Sequence, residues 1–141
     1  MARLFVVALA ARLPRWARET RDEYLGRMPR GFEVRCIDLK SGPLARARLP
    51  DRTRLVVLDE RGADLTTAQF AARLQVLRAQ GDAIAFVIGG PDGLDAEFRR
   101  AADWVLKLSS LTLPHAFAQV LLCEQLYRAA SILSGHPYHR E

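Results

Sequence analysis

Several common chemistries lack their residues in this chain of 141 residues. It has only two cysteines, Cys36 and Cys123, each inside an apolar pattern and without metal-ligand or disulfide spacing. Buried, reduced thiols in a cytoplasmic protein are the expectation. Among its three histidines there is no HExxH motif, no CxxC accompanies them, and no Ser-His-Asp signature or paired-carboxylate pattern stands out. No metal site is expected. No apolar run approaches the roughly 20 residues that span a bilayer, so no membrane partner is expected. Lysine is nearly absent: only Lys40 and Lys107 occur, and neither stands beside a glycine turn. Neither G-x-G-x-x-G nor a Walker A loop is present, which argues against a bound triphosphate.

Half of the residues are hydrophobic, which excludes a disordered chain and suits a single domain over residues 1–141. The net charge of +5 is unevenly spread. Residues 1–54 hold 13 Arg or Lys against 6 Asp or Glu, and residues 55–141 hold 8 against 10. The basic first part suggests a polyanion partner such as RNA, although a solvated surface has the same composition; no DNA partner is expected. Arg3 followed by Leu4 to Ala11 imitates a short secretory signal, but its cationic start is weak. A buried first strand is the favoured reading.

The chain is organised around Ile84 to Gly93, IAFVIGGPDG. An apolar strand stops at Gly89-Gly90-Pro91. Two glycines allow positive φ and let backbone N–H groups approach a ligand. Asp92 and Asp95 then frame a helix start. Strand, glycine turn and helix build ligand sites in α/β proteins, and also build tight turns that bind nothing.

Elsewhere the pattern alternates. Leu4 to Leu9 reads as a central strand. Pro14 opens a helix from about Arg15 to Met28, in which Trp16, Thr20 and Tyr24, with Met28 as the next position at i+4 spacing, give one apolar side and Arg15, Arg18 and Arg21 share a basic side. Phe32 to Leu39 alternates as a strand, with Phe32, Val34 and Cys36 on one face. Residues 40–53 read as loop, with barely room for a helical turn. Leu55 to Leu58 is a third strand, and Asp59-Glu60-Arg61-Gly62 turns out of it. A helix begins at or beside Leu65 and runs through Gln80, with Phe70, Leu74 and Leu77 inward. After the Ile84 to Ile88 strand come a helix at Leu94 to Ala101, a strand at Trp104 to Leu108 and a helix from Ala116 to Leu133. Gly135 suits its C′ position. The last helix carries more apolar surface than one sheet face covers, which suggests a dimer. The fold class is α/β with a mostly parallel sheet.

Three loops follow strand ends: Leu58-Asp59-Glu60, Gly89-Gly90-Pro91 and Ser109 to Pro114. In a parallel sheet they open on one edge as a cleft of backbone donors, small hydroxyls and leucines. That suits a neutral, adenosine-like ligand. Turn and capping duty also accounts for Ser109, Ser110 and Thr112. His115, at a helix start, is a cap, a structural group or a base. The tail packs His136, Tyr138, His139 and Arg140 into five positions, although tails often fray.

These blocks, IGGPDG, LSSLTLPH, EQLYRA and the terminal HPYHRE, closely resemble the ribosomal RNA large-subunit methyltransferase H family of the SPOUT superfamily. The likeness covers nearly the whole chain, including the VVLDERG turn. It implies transfer of a methyl group from S-adenosylmethionine to N3 of a pseudouridine in the helix 69 loop of 23S ribosomal RNA, in the assembled 70S ribosome. It also implies a trefoil knot in the carboxyl half and an obligate homodimer. Leu58, Gly89, Gly90, Ser109, Ser110, Leu111, Thr112, Leu113 and Pro114 match cofactor-binding positions. His115, Tyr138 and Arg140 match positions linked to catalysis or RNA binding, His139 beside them is a candidate proton acceptor, and the tail is expected to complete the partner's active site. The charge pattern adds Arg12, Arg15 and Arg18 as RNA contacts. Lys40 to Thr53 is shorter than the family's basic segment and is expected to lack its helix. A non-catalytic RNA-binding protein and a flavodoxin-like nucleotide binder are the competing readings.

Overall fold

The computed structural model describes residues 3–10, 12–90 and 93–140, without the side chains of His139 and Arg140. Pro91, Asp92 and Glu141 lie outside the described residues. Eleven elements follow in order: β1 (Leu4–Leu9), α1 (Arg15–Gly26), β2 (Val34–Asp38), α2 (Gly42–Ala47), β3 (Arg54–Asp64), α3 (Thr67–Ala79), β4 (Ile84–Gly89), α4 (Ala96–Ala101), β5 (Trp104–Lys107), α5 (His115–Ser134) and a 3-10 turn (Pro137–Arg140). The strands form one sheet in the order β2-β1-β4-β3-β5. Every pairing in it is parallel.

The α/β expectation holds, and the two most apolar strands take central places. β1 runs beside β4 from Leu4–Ile84 to Leu9–Gly89. β4 also pairs with β3 from Arg54–Ile84 to Val57–Val87. Both strands meet helices on both faces, so both need apolar side chains at every position. Leu4, Val6, Ile84 and Phe86 face one core with Phe70, Leu74, Leu122 and Leu126 of α3 and α5. Phe5, Val7, Ala85 and Val87 face the other, with Ala45 of α2 and Phe98 of α4. Because all strands run one way, the loops after β1, β3, β4 and β5 leave from the same edge.

Local signals account for most boundaries. Thr66 caps α3 in a capping box with Gln69, so that helix starts at Thr67 and not at Leu65. Asp95 caps α4, accepting from the Glu97 N–H at 2.9 Å. Gly135, at φ 78°, closes α5 in the left-handed conformation.

Three expectations need correction. First, residues 40–53 do hold a helix. Ser41 caps α2, and Ala45 buries itself against the sheet.

Second, β3 does not end at Leu58. It continues to Asp64, and both Leu58 and Ala63 sit opposite Leu106 of β5. Residues 59–62 therefore bulge outward at the carboxyl edge. A Cβ on Gly62 would lie 2.7 Å from the Leu106 carbonyl carbon, so a side chain there would collide with β5.

Third, the apolar side of α1 is covered only in part, with Met28 on the core and Tyr24 against Tyr127, and Arg21 leaves the basic side. Trp16 is 45% exposed, whereas Ala17 and Arg21 are buried. Arg21 finds partners in buried Gln119 of α5 and exposed Asp38 of β2, and Trp16 packs on Phe117 of α5 at 4.8 Å. Arg21 thus leaves the basic surface that Arg15 and Arg18 share.

Candidate active site

The strand-end loops converge as the parallel sheet requires. They line a cleft of about 430 Å³ with Leu58, Asp59 and Glu60 at the β3 bulge, Gly89, Gly90 and Gly93 at the end of β4 and beyond it, and Ser109, Leu111, Thr112 and Leu113 after β5. His115 and Ala118 of α5 close one side. Ser110 and Pro114 complete the same loop, with Pro114 at the N-cap position of α5.

The glycines are required by close approach. A Cβ on Gly90 would lie 2.2 Å from the Leu9 carbonyl oxygen, and one on Gly89 would lie 2.8 Å from the Gly93 backbone. The loop folds back on itself, with the Gly93 N–H donating to the Gly90 carbonyl at 2.9 Å. Its backbone can therefore form the cleft wall. Ser109 also serves its own turn, accepting from the Leu111 N–H at 3.0 Å.

Asp59 does more than turn the chain. Its carboxylate accepts from the Arg61 N–H at 2.9 Å and pairs with Arg99 of α4 at 3.3 Å. Nothing in the sequence singles out Arg99, because it lies 40 residues from its partner and in no motif.

His115 joins two walls of the cleft. Its Nδ1 lies 2.7 Å from the Gly89 carbonyl oxygen, and its Nε2 lies 3.3 Å from Nε2 of Gln119. The Gln119 Oε1 accepts from Arg21 Nη1 at 2.6 Å. Arg21 Nη1 also donates to both Asp38 oxygens, at 3.0 and 3.1 Å, and its Nε donates to Asp22 at 3.0 Å. Burial opposes the Arg21 charge, but Cys36, Asp38 and Asp22 outweigh it and raise its pKa. Burial pushes the Cys36 thiol up to about 11 and the Cys123 thiol higher still. Both remain protonated and unreactive at neutral pH.

The tail sits elsewhere. The Tyr138 ring packs on Tyr127 at 4.5 Å, and its hydroxyl donates to Glu124 at 2.8 Å. At 1.5 Å per residue, Glu124 lies about 14 Å along α5 from His115. None of the described lining residues of the cleft comes from the tail.

Arg12, Arg15 and Arg18 line a shallow concavity beyond β1 with Leu13 and Pro14. Arg15 pairs with Glu19 at 2.9 Å, with both groups largely exposed. Trp16, Phe117, Leu121 and Leu111 are large apolar side chains that stay exposed, Trp16 and Phe117 packed on each other.

Comparison with known proteins gives this geometry a family. The model for "Predicted SPOUT methyltransferase" matches residues 2–139. Ribosomal RNA large subunit methyltransferase H of Delftia acidovorans is 46% identical over 154 residues, covering 99% of each chain. Its counterpart from Dechloromonas aromatica is 48% identical over 156 residues, again with 99% of each chain covered. The chain belongs to the ribosomal RNA large-subunit methyltransferase H family of SPOUT methyltransferases. These family alignments are longer than the chain itself, so the relatives carry residues that it lacks. A solved structure extends the likeness of fold beyond the methyltransferase H family. A probable methylase family protein from Haemophilus influenzae Rd KW20 superposes with a TM-score of 0.61 at 12% identity, over 96% of this chain and 69% of that one.

Proposed function

We propose that this chain transfers the methyl group of S-adenosylmethionine to N3 of a pseudouridine in the helix 69 loop of 23S ribosomal RNA, within the assembled 70S ribosome. The observation that carries the reading is the convergence of the three strand-end loops on one cleft. The relatives named for ribosomal RNA large-subunit methylation supply the substrate class. The reading includes a single domain, a cytoplasmic location, a homodimer and a trefoil knot in the carboxyl half.

The residues present fit the cofactor. The cleft volume falls within the range of about 300–1,000 Å³ that small-molecule pockets occupy. Gly89 and Gly90 bring backbone to its surface where a Cβ would collide. Leu58, Leu111 and Leu113 supply apolar cover, Ser109, Ser110 and Thr112 supply hydroxyls, and Pro114 fixes the loop at α5. When bound, S-adenosylmethionine supplies a sulfonium methyl that is already electrophilic.

The chain's own task is alignment and proton removal. Holding both reactants in line lowers the barrier by removing motion beforehand. Pseudouridine N3 carries a proton that must leave for it to attack. A second protomer's tail supplies the missing groups. Its Tyr138 positions the base, its Arg140 holds a developing negative oxygen or a phosphate, and its His139 or the Glu141 carboxylate accepts the proton. Two features support this arrangement: the tail is fastened away from its own cleft, and Trp16, Phe117 and Leu121 leave an apolar surface beside α5 for a partner. His115 borders the same cleft. Arg12, Arg15 and Arg18 contact the RNA backbone, as their concavity at the carboxyl edge suits.

The test is methyl transfer from radiolabelled S-adenosylmethionine to 70S ribosomes lacking this modification, with the labelled nucleotide mapped. Label at N3 of the helix 69 pseudouridine is expected. Label at another nucleotide would refute the substrate. No label with cofactor binding intact would point to RNA binding without this chemistry.

A further inference from the structure

We infer that Gln119, fixed by Arg21, is a positioning residue that holds His115 as the neutral imidazole protonated on Nδ1. The functional consequence rests on the reading of the cleft as the S-adenosylmethionine site. The proton assignment does not.

Donors and acceptors fix the position of the hydrogen. The Gly89 carbonyl only accepts, so His115 Nδ1, 2.7 Å away, carries the hydrogen. The other ring nitrogen faces the Gln119 amide nitrogen at 3.3 Å, which only donates. His115 Nε2 therefore accepts with its lone pair. The orientation of an amide is assigned from its network, and here the network decides it. Gln119 Oε1 lies 2.6 Å from Arg21 Nη1, which cannot accept. A flipped amide would set donor against donor where Gln119 is 1% and Arg21 4% exposed. Arg21 is itself held by Asp38 and Asp22. One assignment satisfies every member, from the Asp38 carboxylate to the Gly89 carbonyl.

Two consequences follow. The lone pair of His115 is committed to Gln119, so this ring is not the acceptor of the substrate's proton. The ring is also kept uncharged, because an imidazolium needs an acceptor at Nε2 and the Arg21–Gln119 pair denies it one. A neutral ring at the cleft edge avoids repelling a cationic sulfonium. Among the described residues, the charged groups lining the cleft are Asp59, Glu60, Arg61 and Arg99, and Asp59 is already paired with Arg99.

The experiment reads the His115 ring nitrogens by multiple-bond nitrogen–proton NMR at neutral pH. The wild-type ring is expected neutral with its hydrogen on Nδ1. A hydrogen on Nε2 would overturn the inference. In Gln119→Glu the carboxylate only accepts and still pairs with Arg21, so a second hydrogen is expected on Nε2. A ring that stays neutral there would overturn it too.

Arg21→Met frees the amide to turn its oxygen toward His115 and leaves Asp22 and Asp38 unneutralised, so the imidazolium is favoured. By calorimetry this variant is expected to bind S-adenosylmethionine about tenfold more weakly, with the uncharged S-adenosylhomocysteine changed less than about twofold. An equal loss for both ligands, or none for either, would overturn the role. Should Arg21→Met fail to fold, the Gln119→Glu spectrum carries the test. A wild-type protein that binds neither ligand but shows the expected tautomer would refute the cofactor reading instead.

Discussion

Tyr138 donates its hydroxyl hydrogen to Oε2 of Glu124 at 2.8 Å, fastening the tail to α5 of its own chain. Arg128 adds to the clasp, its guanidinium 4.7 Å from the Tyr138 ring and 2.8 Å from the same Glu124 oxygen. Burial, together with hydrogen bonds to Glu124 and Tyr24, pushes the Tyr138 phenol up, so it stays neutral at physiological pH. A neutral phenol suits the proposed positioning role and not that of a base.

Removing residues 138–141 is expected to abolish methylation and leave cofactor binding measurable by calorimetry. Tyr138→Phe keeps the ring packing and loses the hydrogen bond, a cost of about 1–2 kcal/mol in a denaturant titration. It should lower transfer without changing cofactor affinity. Full activity in the truncated chain would remove the tail from the site.

Gly90→Ala is expected to be severe. Its Cβ would stand 2.2 Å from the Leu9 carbonyl oxygen, just beyond the last β1–β4 pair, Leu9–Gly89. The loop must shift, at a cost of roughly 1–3 kcal/mol as in other overpacked sites. Thermal unfolding should show the loss of stability, and calorimetry should show cofactor affinity falling at least about tenfold. Wild-type affinity would mean that the loop does not shape the cleft.

Reversing Arg12, Arg15 and Arg18 to glutamate should weaken RNA binding and flatten its dependence on salt. Each phosphate left without its arginine removes about 0.7–0.9 from the slope of log K against log salt. Cofactor affinity should stay unchanged. An unaltered slope in filter binding across a salt series would reduce the three to solvated surface.

Phe117→Asp tests the apolar surface beside α5. Phe117 is 51% exposed and stacked on Trp16, so the substitution leaves the buried core untouched. Sedimentation should show the dimer dissociating to monomer, with methylation lost and thermal stability of the monomer changed little. A dimer that persists would place the interface elsewhere.

The sequence by itself determined the presence and order of the five strands, though not the extent of β3, together with the parallel class and the loops that line the cleft. Strands buried on both faces must be apolar at every position, and Leu4 to Leu9 and Ile84 to Ile88 are. Parallel strands send their carboxyl-end loops to one edge, so Leu58, Gly89 and Ser109 were bound to meet wherever strand order allowed. The tertiary structure decided what no local pattern carries. Arg21 looked like part of a basic stripe and Trp16 like core, because helical spacing records neighbours on one helix and not the partners across it. Only packing brings Arg21 of α1, Asp38 of β2, Gln119 and His115 of α5 and Gly89 of β4 into one line of hydrogen bonds. A buried charge is stable only where such partners converge, and that convergence, drawn from residues as far as 98 positions apart, is a property of the folded chain.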